Sequence, residues 1–169
     1  MAKKVYLLGF MGSGKTFWGA RLSERLGFPY IDLDAALVDQ EGLTVARIFE
    51  SRGETYFRQV ERDLLRGIST QETFVMSCGG GTPCFFDNIE FMNGQGITIW
   101  LDPGLDLLLE RIQRKKSKRP LVASLSGDAL RDYVVSKLEE RRPFYSRATH
   151  RVDPDQMNPE TFNELICNA

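Results

Sequence analysis

The chain of 169 residues predicts an α/β protein of three layers, α/β/α, with a parallel sheet covered by helices on both faces. Three features lead there. Apolar runs of strand length alternate with segments whose apolar residues recur every three or four positions. The runs are apolar nearly throughout, Thr98 being the exception, as suits strands buried on both faces. The first run passes through a glycine-rich turn straight into a helical pattern, which is how a β-turn-α unit begins.

Val5 to Leu8 is the first strand, and a helix from Lys15 to Leu26 carries Trp18, Leu22 and Leu26 on one face and stops at Gly27. Tyr30-Ile31 leads a second short strand into Asp32-Leu33-Asp34. Residues 35–70 read as helical, through Ile48 and again through Phe57, Val60, Leu64 and Ile68. Phe74-Val75-Met76 is a third strand ending at Gly79-Gly80-Gly81. Ile97 to Leu101 is a fourth, stopped by Asp102-Pro103-Gly104. Leu105, Leu108, Leu109 and Ile112 mark a helix, residues 114–126 are polar and unpatterned, and Leu130, Val134 and Leu138 form a last stripe with Pro143 as its expected end.

Length fits one domain, residues 1–169, able to bury its own core. With 42% hydrophobic and 27% charged residues, neither disorder nor a fibrous repeat is indicated. A net charge of −1 provides no general field for nucleic acid or an anionic membrane, so neither is expected as a partner. The apolar run near the N-terminus is too short for a signal-peptide core or a membrane span, and the default expectations are the cytoplasm and a monomer. Cys78, Cys84 and Cys167 are odd in number with no C-x-x-C pair, which suits reduced thiols rather than a disulfide framework or a zinc site.

Gly9-Phe10-Met11-Gly12-Ser13-Gly14-Lys15-Thr16 matches G-x-x-x-x-G-K-[ST] in full, between a predicted strand and a predicted helix. Such a loop cradles phosphates in its backbone amides, with the helix N-terminus adding positive character. Lys15 is placed to reach the β and γ phosphates and Thr16 to ligate Mg²⁺ directly. Gly12, Ser13, Gly14, Lys15, Thr16 and Phe17 are the expected ATP contacts. Guanine-specific switch proteins share the loop but read their base with N-K-x-D, and no asparagine here precedes a lysine.

Further segments fall in the order and spacing of shikimate kinases across most of the chain. They are Asp32-Leu33-Asp34, Gly53-Glu54-Thr55-Tyr56-Phe57-Arg58 with Glu61, Gly79-Gly80-Gly81, Arg119-Pro120-Leu121 and Arg141-Arg142-Pro143-Phe144-Tyr145. The chain resembles that family. The resemblance implies a P-loop nucleoside-triphosphate-binding fold of the nucleoside monophosphate kinase type, with a helical substrate-binding insertion near 33–62 and an ATP lid near 112–126. It implies that ATP is the co-substrate, shikimate the acceptor and Mg²⁺ the cofactor. It also implies that Asp34 holds substrate hydroxyls and receives the proton of the attacking one, while Asp32 supports Mg²⁺ through water. Arg58, Arg141 and Gly79 to Gly81 would hold the substrate, whose carboxylate needs a forked cation. Lys15, Asp34 and Arg119 would be the catalytic set.

Residue patterns bear on these roles independently. Two residues apart on an extended segment point the same way, so Asp32 and Asp34 are expected to face the loop together; a helix-capping Asp34 beside a solvated Asp32 is the alternative. Arg141 continues the Val134, Leu138 stripe and should point inward. Arg58 and Glu61, three apart on a helix, read either as an orienting pair or as a surface salt bridge of little worth. Phe49 and Phe57 read as pocket-lining aromatics or plain core. Three glycines after a buried strand suit close approach of backbone to a ligand, or merely a flexible loop. The basic run Arg111, Arg114, Lys115, Lys116, Lys118 and Arg119 reads as a mobile lid over ATP, with Arg119 delivered to the transferring group. An adenine contact near Met157 stays open, and His150 reads as structural. Two other functions fit the loop: a kinase for gluconate or a nucleoside monophosphate, and a nucleotide-switch module without catalysis.

Overall fold

The computed structural model describes residues 3–115, 122–155 and 158–167. In chain order they form β1 (Lys4–Leu8), α1 (Lys15–Leu26), β2 (Tyr30–Asp32), α2 (Leu33–Glu41), α3 (Val45–Ile68) and β3 (Phe74–Ser77). A 3-10 turn (Thr82–Cys84) follows, then α4 (Asn88–Gln95), β4 (Ile97–Leu101), α5 (Leu105–Arg114), α6 (Gly127–Tyr145), β5 (His150–Val152) and α7 (Pro159–Cys167). The strands lie in the order β2-β3-β1-β4-β5, and every neighbouring pair is parallel. The expected three-layer α/β/α architecture is present.

Alternation along β1 divides the core between the two faces of the sheet. Val5 and Leu7 pack with Trp18 and Leu22 of α1 and Phe162 and Ile166 of α7. Tyr6 and Leu8 pack with Leu65 of α3 and Ile89 and Met92 of α4. Because neither face is wet at the centre of the sheet, β1, β3 and β4 read as largely apolar runs. A third cluster ties Phe10 to α5 and α6 through Leu108, Ile112, Leu130 and Val134. A small fourth one, Leu37, Ile48 and Phe57, joins α2 to the first half of α3.

Topology sets the position of the site. From β1 the chain leaves toward one edge, to β2, and from β3 it leaves toward the other, to β4. The crevice therefore opens between the loops after β1 and β3, at the carboxyl ends of the strands.

Two sequence expectations are corrected, at Asp32 with Asp34 and at Pro143. Asp32 ends β2, and Asp34 sits in the first turn of α2, so the pair does not lie on one extended segment. Asp32 is itself the N-cap, its Oδ1 accepting from Ala35 N at 3.1 Å, because a carboxylate satisfies a free amide of the first turn. Pro143 does not end its helix: α6 runs on to Tyr145, and a proline in the last turn forfeits only one backbone bond. The fifth strand, β5, and the helices α4 and α7 carry too few periodic residues to be seen from sequence. Of the lid expected at 112–126, Ile112 to Arg114 belong to α5 and Val122 is buried among Ile112 and Leu130, while 116–121, including Arg119, lie outside the described residues. Among the described residues no helix is long and apolar enough to cross a membrane.

Candidate active site

A cavity of about 760 Å³ occupies the crevice, with the phosphate loop along one side and the substrate-binding candidates at one end. Gly12, Gly14, Lys15, Thr16 and Phe17 line it, together with Asp32, Asp34, Arg58, Arg141 and all three of Gly79, Gly80 and Gly81. Ser13, within the same loop, is not among the lining residues. It is buried, and its hydroxyl has no hydrogen-bond partner among the described residues.

The loop holds its lysine over its own backbone. Lys15 Nζ donates to Gly9 O at 2.7 Å and Phe10 O at 3.0 Å, which uses two of three ammonium protons and leaves one for an incoming oxygen. Loss of water brings Lys15 down to about 8, and Asp34 is the leading opposing influence. For Asp34 the same loss of water, reinforced by Glu61 and Asp32 and opposed by Lys15 and Arg58, raises the carboxyl to about 6. A half-buried acid and a half-buried base thus act on each other, both tuned toward neutrality.

Each of the three glycines makes room for one of the expected groups. A Cβ on Gly79 would lie 2.9 Å from Asp34 Oδ1 and 3.0 Å from Glu61 Oε1. On Gly80 it would lie 2.7 Å from Arg141 Nη1, and on Gly81 2.6 Å from Arg58 Nη2. What approaches this segment is protein side chain: any larger residue would displace the carboxylate or the two guanidinium groups.

Arg58 is fixed from both sides along α3. Glu61, 1% exposed at its side chain, accepts from Nη1 at 2.9 Å, and Glu54 accepts from Nε and Nη2 at 3.3 Å. Three of the five N–H groups are taken, leaving one on each terminal nitrogen, the pair that a carboxylate accepts from in bidentate fashion. Glu61 is in turn held by the Thr82 hydroxyl, which donates to Oε1 at 2.6 Å. A surface salt bridge is excluded by that burial. Arg141 enters from α6 over the ring of Phe10, 5.2 Å from its centroid, and four residues on the buried Tyr145 donates to Gly80 O at 2.5 Å. Phe49 and Phe57 line the same end, and their rings pack together at 4.6 Å.

These segments match known proteins along nearly the whole chain. The model of the family described as shikimate kinase matches residues 11–168. The chain belongs to the shikimate kinase family. It is 40% identical over 167 residues to a shikimate kinase of Parabacteroides distasonis, covering 99% of this chain and 96% of that one. A crystal structure of shikimate kinase from Bacteroides thetaiotaomicron superposes with a TM-score of 0.89 at 36% identity, covering 99% of this chain and 96% of the other. The shikimate kinase from Acinetobacter baumannii, solved in complex with shikimate, superposes at 0.84 with 30% identity over 98% of this chain and 91% of that one.

Membership of the family implies ATP as phosphoryl donor and Mg²⁺ as its companion, and the donor set fits the metal. Among the described residues no three acidic, histidine or cysteine side chains gather into a protein-only cage. A hydroxyl, Thr16, and a carboxylate, Asp32, face the cavity instead, the sparse oxygen set that suits an ion retaining waters and bound largely by phosphate.

Sequence reasoning missed one part of the wall and one support behind it. Arg111 donates to Gly12 O at 3.4 Å and to Asp155 Oδ1 at 2.6 Å, and with Pro154 it lines the cavity. In the sequence it is one of six basic residues with nothing to single it out. Behind the wall, the ring of Phe85 lies against the Arg58 guanidinium from 27 residues away in the chain.

Proposed function

We propose that this chain transfers the γ-phosphoryl group of ATP to the 3-hydroxyl of shikimate, giving shikimate 3-phosphate and ADP, a step of chorismate and aromatic amino-acid synthesis. One observation carries the reading: Asp34, Arg58 and Arg141 converge over Gly79 to Gly81 in the cavity that the phosphate loop lines. Two forked cations beside one carboxylate suit a small acceptor that carries both an acid group and hydroxyls.

In this reading Arg58 and Arg141 hold the substrate carboxylate and Gly80 contributes backbone contact. Asp34 accepts a hydrogen bond from the attacking hydroxyl and takes its proton as the new O–P bond forms and the bond to the β-phosphate oxygen breaks. Lys15 and the amides from Gly12 to Phe17, Ser13 among them, spread over the phosphates, and the nucleoside extends toward Arg111 and Pro154. Thr16 would hold Mg²⁺ directly and Asp32 through water, and the ion would supply positive charge against the phosphates. Arg119 belongs to the lid, about 112–126, that closes over ATP and excludes water. Residues 33–62 form the substrate-binding insertion of a single domain, 1–169, which acts as a cytoplasmic monomer with neither nucleic acid nor membrane as partner.

The test is Mg²⁺-dependent ADP release with shikimate, gluconate, quinate, nucleoside monophosphates or no acceptor. Stimulation by shikimate alone is expected. Stimulation by another acceptor instead would leave the phosphate loop's role standing and overturn the substrate, while silence with all acceptors despite ATP binding would favour the switch module.

A further inference from the structure

Helix α3 presents a column of arginines one turn apart, Arg58, Arg62 and Arg66, and the segment after the glycines answers each with an aromatic ring. Phe85 lies 4.1 Å from the Arg58 guanidinium carbon, centroid to Cζ; Phe86 lies 4.7 Å from that of Arg62, and Phe91 4.9 Å from that of Arg66. Asp87 adds an ion pair to Arg66. Consecutive residues of an extended chain point to opposite sides, so Phe85 and Phe86 could not both meet one helix face. The backbone resolves this at Phe86, the one non-glycine residue with positive φ among the described residues, at 51°. An exposed phenylalanine held in that region costs on the order of 1 kcal/mol, so the turn persists because contacts on both sides fix it.

We propose that Phe85 is a positioning residue for substrate binding: its ring fixes the plane of the Arg58 guanidinium over Gly81, and the pairs at Arg62 and Arg66 clamp the segment 85–91 to α3 so that this plane is kept. The inference rests on the reading of Arg58 as a holder of the substrate carboxylate. Glu61 and Glu54 restrain the guanidinium by its edges, and Phe57 and Phe49 approach at 5.0 and 6.0 Å from α3 itself. Phe85 alone of these comes from the element that carries the glycines, so it ties the position of Arg58 to the backbone it works against. Phe85 does not line the cavity, which separates positioning from contact.

The experiment measures shikimate dissociation by direct titration, with KM for both substrates and kcat, in Phe85→Leu, Phe85→Tyr, Arg58→Ala and the double variant Phe85→Leu with Arg58→Ala. Leucine keeps apolar bulk but has no π face, and tyrosine keeps the face. Phe85→Leu is expected to weaken shikimate binding roughly 3- to 20-fold, the span of a part-buried cation–π contact, with ATP KM and kcat within about twofold. Phe85→Tyr should behave as the parent, and Phe85→Leu should add nothing once Arg58 is alanine. Unchanged shikimate binding in Phe85→Leu, a parallel rise in ATP KM, or a full extra loss in the double variant would each overturn the proposal. If Arg58→Ala alone left shikimate binding intact, the assignment of Arg58 would fall first and this inference with it, a pattern distinct from failure at Phe85 only.

Discussion

At the scale of residues, the site consists of charges kept where water would otherwise stabilise them. Asp34 at about 6 and Lys15 at about 8 imply a bell-shaped dependence of kcat/KM on pH, with limbs near those values, since this parameter reports the free enzyme. Bound phosphates favour the ammonium form, so the alkaline limb of kcat should move upward. Identical alkaline limbs in the two profiles would count against Lys15 as the group responsible. Stability runs the other way at both groups. A carboxyl raised from 3.8 binds more protons folded than unfolded between 3.8 and about 6, so its contribution to stability falls as pH rises through that window. A lysine lowered from 10.5 holds fewer protons folded between about 8 and 10.5, so stability there rises with pH. At neutral pH both charges cost stability that function requires. Asp34→Asn should therefore lower kcat by about 10²-fold or more while leaving nucleotide affinity nearly unchanged. It should also raise Tm by about 2–4 °C, as a gain near 1 kcal/mol does in a chain of this size. A variant that lost activity and Tm together would show Asp34 to be structural.

Elements carry these residues through devices that a sequence shows unequally. The phosphate loop is legible because strand, glycines, lysine and helix are contiguous; the inward aim of Arg141 is legible because α6 repeats at helical spacing from Val134 through Leu138. The bend of the chain at Asp32 was not, because a strand of three residues passing straight into a helix leaves no periodicity to mark the switch. β5 escaped for a similar reason: at the sheet's edge it buries only Val152 of its three residues. Phe85 and Glu61 reveal their purpose only through partners, and the pairing of Gly80 with Arg141 and Gly81 with Arg58 spans elements far apart in sequence. That pairing yields a prediction at the level of the glycine segment. Gly80→Ala would set a methyl 2.7 Å from Arg141 Nη1, a flexible side-chain end that can move, so the fold should survive while the cation is displaced. Shikimate KM should rise roughly tenfold or more with ATP KM and Tm little altered. Equal effects on both substrates would mean that the methyl disturbs the phosphate loop instead of the acceptor end.

The molecule as a whole is unevenly built, and this asymmetry belongs to its function. The sheet is sealed by two clusters, one on each face, that share β1 and reach every layer. By contrast α2 and the first half of α3 rest on a separate small cluster of Leu37, Ile48 and Phe57, and α3 is interrupted at Gly53, whose φ of 80° and ψ of 170° break the helix within its length. Few buried apolar contacts and a broken helix make a region that opens locally at lower free energy than the global transition. Yet this region carries Phe49, Phe57 and Arg58, so acceptor binding must order what the core leaves loosely held, and the cost of ordering is drawn from binding energy. Amides of α2 and of residues 45–57 should therefore exchange with solvent faster than those of β1, β3 and β4 in the free protein. Shikimate alone should slow them, because in the proposed reading it bridges Arg58 to the glycine segment and to Arg141. ATP alone should protect the phosphate loop and α1 with little effect on 33–57. If the free protein exchanged uniformly, or if ATP protected the α2–α3 region as strongly as shikimate did, the substrate-binding helices would be an integral part of the nucleotide core and not a separately ordered insertion.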